Sequence, residues 1–245
     1  MKPDIQTIFT EGQVLLVDKP LEWTSFDVVA KVRNTIKIKK VGHAGTLDPL
    51  ATGLLILCTG KLTKKINEYQ AREKEYTGTF TLGAVTPTYD LESEPEQFKD
   101  YSFVTEELLH ETTKQFIGDI QQVPPTHSAI KKNGQAAYVM ARKGIDVVME
   151  PRPIVIKEFE ITNIALPVVH FRVVCGTGTY IRSLAFDFGK ALGCGAYLSK
   201  LCRTRIGEFT LNEARSLEET LEWIKEVTHP LPLQGGDASE GISNT

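Results

Sequence analysis

Short apolar runs along the chain predict the buried strands of a sheet. Residues 13–17 form one such run, which Pro20 ends, and residues 54–58 form another that is typical of a fully buried strand. Residues 73–83 alternate between apolar and polar positions, as in a strand with one buried face. These three segments predict three strands, of which the one over 54–58 is buried.

Two later segments, 153–166 and 168–175, predict adjacent strands joined at residues 166–167. The apolar positions of the first segment change parity near residues 157–158, which predicts a β-bulge there. Residues 128–132 predict a further short strand, because the paired prolines before them preclude a helix.

A capping residue and a helical period predict a helix over 25–36. Thr24 is its predicted N-cap, and Asp27 completes a partial capping box. The predicted apolar face consists of Phe26, Val29, Ala30, and Val32 or Val28.

Three more helices are predicted further along. One begins after Thr105 and carries Leu108 and Leu109 on its inner face, and two others cover 136–142 and 216–227. Many short strands interspersed with helices predict an α+β fold.

Length and composition narrow the class of protein. The 245 residues suffice for one large domain or two small ones. No apolar run reaches membrane-spanning length and the N-terminus lacks a signal peptide, so we expect a soluble, cytoplasmic protein with reduced thiols. Four cysteines without a Cys-x-x-Cys pair and five scattered histidines make a zinc site unexpected.

Charge is distributed unevenly, although the net charge is only −3. Residues 31–65 contain eight cations and the single acid Asp48, whereas residues 90–111 contain eight acids and the single cation Lys99. Phosphate binding needs local rather than global positive charge, so the first segment is a candidate nucleic-acid surface. A solvated helix face is the simpler alternative for any one lysine cluster.

The candidate reactive group is Asp48, in the run Gly-His-Ala-Gly-Thr-Leu-Asp-Pro-Leu-Ala-Thr-Gly over 42–53. The run lacks helical or alternating periodicity, and Asp48 precedes Pro49, which favours an extended or turn conformation. A carboxylate on a shaped loop beside a buried strand suits a nucleophile. Asp48 as an ordinary turn residue or helix cap is the alternative.

The run over 42–53 resembles the signature of the TruB family of tRNA pseudouridine synthases, which modify the T-loop uridine at position 55. Further blocks extend the resemblance over most of the chain: a Lys-Pro pair at 19–20, Lys-Glu-Tyr at 74–76, Thr86, Thr88 and Asp90, Gly-Thr-Tyr-Ile-Arg at 178–182, and residues 200–207. The glycine expected just after Asp90 is absent. The resemblance implies the pseudouridine synthase fold, a mixed, largely antiparallel sheet with flanking helices around a central cleft.

The resemblance also implies roles for individual residues. Asp48 would be the catalytic carboxylate, Arg182 its partner, and Tyr76 a residue packed on the target uracil with a phenol that can act as a base. The implied substrate-binding residues are His43, which fills the space left by flipped bases, Tyr180, Leu201, Lys19, Lys64, Lys131 and Lys132.

Each implied role has a structural alternative that the residues alone leave open. Tyr76 suits a half-buried strand and Leu201 suits core packing. A histidine such as His43 is often a hydrogen-bonded loop residue, and Arg182 alone would usually lie on the surface. Arg182 falls in the first turn of a predicted helix with Thr179 as N-cap, where a cation opposes the helix dipole and favours a carboxylate partner.

The predicted organisation is one catalytic domain over 1–230, with an RNA-binding thumb at about 122–150 and a disordered tail over 231–245. Too few residues follow for the PUA domain that many bacterial members carry. The expected reaction needs no cofactor or metal, and the expected partner is the T-arm of tRNA, with the protein acting as a monomer without a protein partner. The alternatives are a tRNA-folding chaperone without chemistry and a carboxylate-based glycosidase, which would need a second catalytic carboxyl.

Overall fold

The computed structural model describes residues 5–228 except 129, 133, 142 and 146. The predicted disordered tail over 231–245 lies outside the described residues, as does Arg142 at the end of a predicted helix. Within the described residues, no helix is both long and apolar enough to cross a membrane.

Seven α-helices lie in the described chain. They are α1 (Ile5–Glu11), α2 (Ser25–Ile36), α3 (Ile66–Gln70), α4 (Glu106–Lys114), α5 (Ala137–Ala141), α6 (Ile181–Leu192) and α7 (Leu217–Thr228). Short 3-10 helices occur at Gly60–Lys65 and Leu211–Glu213. The five helices predicted above, including the one that contains Arg182, correspond to α2, α4, α5, α6 and α7.

Twelve strands lie in the same residues. They are β1 (Val14–Lys19), β2 (Val41–His43), β3 (Ala51–Thr59), β4 (Lys74–Leu82), β5 (Gly118–Gln122), β6 (Lys131–Lys132), β7 (Gln135–Ala136), β8 (Arg152–Ala165), β9 (Val168–Cys175), β10 (Ala196–Ile206), β11 (Phe209–Thr210) and β12 (Arg215–Ser216). The register between β8 and β9 shifts between Ile156 and Glu158, so the predicted bulge is confirmed.

Ten strands form one mixed sheet in the order β12-β1-β3-β10-β4-β9-β8-β5, with β2 paired to β3 and β11 paired to β10. Only the β1–β12 and β3–β10 pairs are parallel, so the predicted α+β class with a largely antiparallel sheet is confirmed. Strand β5 was not predicted, because its sequence Gly-Asp-Ile-Gln-Gln carries little strand signal and its pairing with β8 supplies the order.

Helix α2 begins as predicted, with a complete capping box between Thr24 and Asp27. The prediction that Phe26 lies on the buried face is wrong: 64% of Phe26 is exposed, and the Arg33 guanidinium lies 5.9 Å from its ring centroid. The buried stripe of α2 instead begins at Ser25. Phe26 is the next residue, and it lies outside the stripe because successive residues are about 100° apart around the helix axis.

Two other details of the predicted helices are corrected. Leu109 is fully buried on α4 with Thr112 and Thr113, whereas Leu108 is 36% exposed. The N-cap of α6 is Tyr180 rather than Thr179, whose hydroxyl donates to the Gly176 carbonyl oxygen at 3.1 Å. In both cases the error is one position along the helix.

The largest core cluster lies between α4, α6 and strands β4, β8 and β9, and it supports the start of α6. Its centre is Phe80, whose ring stacks on Phe171 with centroids 4.1 Å apart. Phe159 and Phe188 contact the same ring from other directions.

We expect Phe80→Ala to lower the free energy of unfolding by about 3–5 kcal/mol, because it leaves a cavity between the three aromatic rings that contact Phe80. Phe26→Ala removes the same side chain from a largely exposed position and should change that free energy by less than about 1 kcal/mol. Urea unfolding of both variants measures the difference, and equal losses would contradict the assignment of Phe26 to the surface.

Candidate active site

The loop that carries Asp48 lies between β2 and β3, which pair with each other. The Ala51 N–H donates to the Asp48 carbonyl oxygen at 3.0 Å. The hydroxyl of Ser25, at the start of α2, accepts from the Leu47 N–H at 2.8 Å and donates to the Leu47 carbonyl oxygen at 3.1 Å. The backbone next to Asp48 is therefore fixed by both the sheet and α2.

Lys19 holds the same loop from the end of β1. Its side chain is fully buried, and its ammonium donates to the carbonyl oxygens of Pro20 at 2.8 Å, Trp23 at 2.6 Å and Pro49 at 3.3 Å. Burial lowers the pKa of Lys19 to about 8, against the opposing effect of the Asp48 charge. The predicted substrate contact of Lys19 is not supported, because its three donors are used within the protein.

Arg182 meets Asp48 from the first turn of α6. Its Nε lies 2.9 Å from Asp48 Oδ2 and 3.6 Å from Asp90 Oδ2. The same guanidinium donates to the carbonyl oxygens of Thr88 at 3.4 Å and His127 at 2.9 Å. Only 5% of the Arg182 side chain is exposed, and its four partners lie in three different segments of the chain.

The Asp48 carboxyl has a pKa above its ordinary value. Burial is the largest cause, and the neighbouring Asp90 charge acts in the same direction, whereas Arg182 and Lys19 oppose it. The Asp48 side chain is nonetheless 38% exposed, so it remains accessible to solvent. A partly desolvated carboxylate with one charged partner is a common arrangement for a catalytic carboxyl.

A cavity of about 580 Å³ has Asp48 and Asp90 in its wall. This volume falls within the range of about 300–1,000 Å³ that is typical of small-ligand sites. Leu201 lies in the same wall, at the position where the resemblance implies the apolar side of a uracil pocket. Other apolar residues of the wall are Leu50, Phe171 and Leu198, and polar ones include Thr77, His170 and Lys200.

Tyr76 lies on β4, opposite Arg203 of β10 in the sheet register, and only 8% of it is exposed. Its phenol does not line the cavity, although it lies close enough to Asp48 to feel the charge of that carboxylate. Burial raises the pKa of the phenol above its ordinary value, and the Arg203 charge opposes the rise. The Tyr76 phenol is therefore protonated at neutral pH.

Two charged residues of the site were not given a role by the sequence. Asp90 was noted only as part of a pattern, but it is 4% exposed and shares Arg182 with Asp48. The sequence does not mark Arg203 as buried, because its position between Lys200 and Arg205 is typical of a basic surface strand. It is 1% exposed. The one signal that could have indicated its burial is its spacing of two residues from Leu201, which places both side chains on the same face of β10.

Tyr180 is positioned through its backbone. The Gln122 side chain accepts from the Tyr180 N–H at 2.8 Å and donates to the Tyr180 carbonyl oxygen at 3.1 Å. The Ser183 hydroxyl donates to the Val123 carbonyl oxygen at 2.8 Å. The segment that follows β5 is thus joined to the start of α6, beside Arg182.

The remaining predicted residues lie on β2, on a 3-10 helix and on β6. His43 is half-buried on β2, burial and then Arg203 lower its pKa, and its Nδ1 has no hydrogen-bond partner among the described residues. Lys64 is exposed on the 3-10 helix that follows β3. Lys131 and Lys132 form β6, which pairs with β7 in a separate two-stranded sheet. No group of three or more His, Cys, Asp or Glu side chains in the described chain is arranged to hold a metal ion.

A carboxyl that contacts a buried arginine and lines a ligand-sized cavity is an arrangement typical of enzyme active sites. Residues 33–181 match the model of the TruB family pseudouridylate synthase N-terminal domain, and residues 182–230 match that of the tRNA pseudouridylate synthase B C-terminal domain. The chain belongs to the TruB family of pseudouridylate synthases.

Curated relatives and solved structures agree with this family. A protein of Flavobacterium johnsoniae named tRNA pseudouridine synthase B is 54% identical over 87% of this chain and 98% of its own length. A Chloroherpeton thalassium protein of the same name is 46% identical over 91% of this chain and 95% of its own. A chain in the crystal structure of a Cbf5-Nop10-Gar1 complex is 31% identical with a TM-score of 0.71, and the match covers 92% of this chain but only 58% of that one.

We expect the pKa of Asp48 to respond in opposite directions to its two charged neighbours. Asp90→Asn removes a nearby negative charge and should lower the pKa, whereas Arg182→Gln removes the paired cation and should raise it. Titration of the Asp48 ¹³Cγ resonance measures both shifts. Asp100→Asn, at an exposed carboxylate bonded to Ser102, is the matched control and should leave the titration unchanged.

Proposed function

We propose that this chain isomerises the uridine at position 55, in the T-loop of tRNA, to pseudouridine by flipping the base and using Asp48. The observation that carries the proposal is the 2.9 Å contact between Arg182 Nε and Asp48 Oδ2, with the carboxyl in the wall of the cavity. The family and the names of the relatives support tRNA as the substrate.

Isomerisation breaks the bond between N1 of uracil and C1′ of ribose and joins C5 to C1′. The two sides of the equation are isomers, so the reaction consumes no redox partner and no group donor. Asp48 acts as the ionised nucleophile or as the carboxylate that activates the base, roles for which carboxylates at anomeric carbons provide a chemical precedent. Arg182 keeps Asp48 charged and oriented through a charge-assisted bond.

The residues around the cavity favour a uracil base that has been flipped out of the RNA. Leu201 offers an apolar contact to one side of the ring, and Tyr76 lies on the neighbouring strand opposite Arg203, close to the Asp48 charge. Because the Tyr76 phenol is protonated at neutral pH, it serves as a hydrogen-bond donor or packs against the base. It must lose its proton before it can act as a base itself. Extrusion of a loop nucleotide costs a few kcal/mol, which contacts of this kind offset.

The RNA would lie over the basic segment that flanks the Asp48 loop. Its exposed cations are Lys31, Lys37, Lys39, Lys40, Lys61, Lys64 and Lys65, of which Lys61 pairs with Glu11. Phosphate contacts by such lysines supply salt-dependent affinity without reading the sequence. The thumb over 122–150 would cover the T-loop with Lys131 and Lys132, and His43 would occupy space vacated by flipped bases. We propose that the protein acts in the cytoplasm as a monomer without a protein partner.

We expect Asp48→Asn to bind an unmodified T-arm hairpin with unchanged affinity but to form pseudouridine at least about 10²–10⁴-fold more slowly, because the neutral amide cannot replace a reacting carboxylate. Nucleoside analysis after incubation measures the product, and filter binding measures affinity. The control Asp100→Asn should match the unsubstituted protein.

The same assay separates the alternatives. A nucleoside isomer of unchanged mass supports the isomerase, whereas released uracil would indicate a glycosidase. Hairpin binding with neither product, by the unsubstituted protein, would indicate the tRNA-folding chaperone and refute the proposed reaction.

A further inference from the structure

Arg203 is the largest fully buried side chain of the described residues. It lies on β10, two residues after Leu201, and its neighbours in the sheet are Tyr76 of β4 and Gly53 of β3. The position of β10 between β3 and β4 therefore places Arg203 between the strand that follows the Asp48 loop and the strand that carries the Tyr76 phenol.

The guanidinium connects three segments of the site. Its Nε donates to the Leu54 carbonyl oxygen on β3 at 2.8 Å, and a terminal nitrogen donates to the Gly45 carbonyl oxygen in the catalytic loop at 3.1 Å. The Gly45 backbone packs closely here, since a Cβ on this glycine would lie 3.4 Å from Nη1 of Arg203. The remaining side faces the Tyr76 phenol, whose pKa burial raises and the Arg203 charge lowers.

The charge of Arg203 is not neutralised by a carboxylate within the described residues. Arg205, two positions further, has its Nη2 2.8 Å from a Glu73 carboxylate oxygen, but the polar partners of Arg203 are backbone carbonyls. Its field reaches the neighbouring cation: after burial, the Arg203 charge is the next cause that lowers the pKa of Lys74. A buried cation without an anion is costly unless its hydrogen bonds compensate.

We propose that Arg203 is a positioning residue for the isomerisation, which sets the Tyr76 phenol and the Gly45–Asp48 loop in a fixed relation to each other. The inference rests on the proposed function of the same site. A planar guanidinium can donate in several fixed directions at once, to Leu54, to Gly45 and towards the phenol. A lysine ammonium at this position carries the same charge but lacks that fork.

A purely structural role for Arg203 would predict a different pattern of losses. Loss of packing would lower stability and would slow the reaction equally whether or not residue 76 carries a hydroxyl. Positioning through the phenol requires that Arg203 and the Tyr76 hydroxyl depend on each other, and a double-mutant cycle measures that dependence.

The test compares Arg203→Lys, Tyr76→Phe and the double variant in single-turnover assays on a T-arm hairpin, with affinity and thermal stability measured in parallel. We expect Arg203→Lys to slow pseudouridine formation at least about tenfold, with the affinity for the hairpin changed less than about threefold. In the Tyr76→Phe background, the same substitution should slow the reaction less than about threefold. Arg205→Lys, on the same strand and outside the site, should behave as the unsubstituted protein.

Equal losses from Arg203→Lys in both backgrounds, or an unchanged rate, would overturn the proposal. If Arg203→Lys does not fold, Arg203→Gln takes its place, because its neutral amide can still donate to a carbonyl oxygen. A readout independent of turnover is the ¹³Cζ resonance of labelled Tyr76, which should shift in the Arg203 variant and not in Arg205→Lys. An unsubstituted protein that forms no pseudouridine would refute the proposed function, and the Tyr76 resonance would still decide the role of Arg203.

Discussion

The site depends on one ion pair between distant parts of the chain. Asp48 comes from a loop between two strands and Arg182 from the start of α6, and their contact of 2.9 Å requires the sheet, the loop and the helix to be correctly placed together. Asp90 is the second carboxylate against the same guanidinium. Because two acids share one cation in a mostly buried setting, the pKa of Asp48 is raised although it is paired.

Backbone carbonyl oxygens accept the hydrogen bonds of two buried cations near this pair. Lys19 donates only to carbonyl oxygens, one of them on Pro49, and Arg203 donates to those of Gly45 and Leu54. These neutral acceptors satisfy the donors of both buried cations, as burial of a charged side chain requires.

The sequence predictions succeeded where a local pattern decides the structure. The Thr24 capping box, the strand over 54–58 and the bulge near Glu158 follow from neighbouring residues alone. They failed by one helical position at Phe26 and Leu108, because periodicity defines a stripe but the packing partner decides which edge of it is buried. Strand β5 was missed because its order comes from pairing with β8.

The sequence by itself determined the family, the α+β class and the candidate carboxylate, since a long motif around Asp48 and blocks around Tyr76, Arg182 and Leu201 are properties of contiguous residues. Only the tertiary structure decided that Lys19, Asp90 and Arg203 are buried. A lysine, an aspartate and an arginine are by default exposed, and their burial here is set by strands and loops far apart in the chain. The physical reason is that the energy of a charge depends on what surrounds it in space, and no local pattern encodes those surroundings.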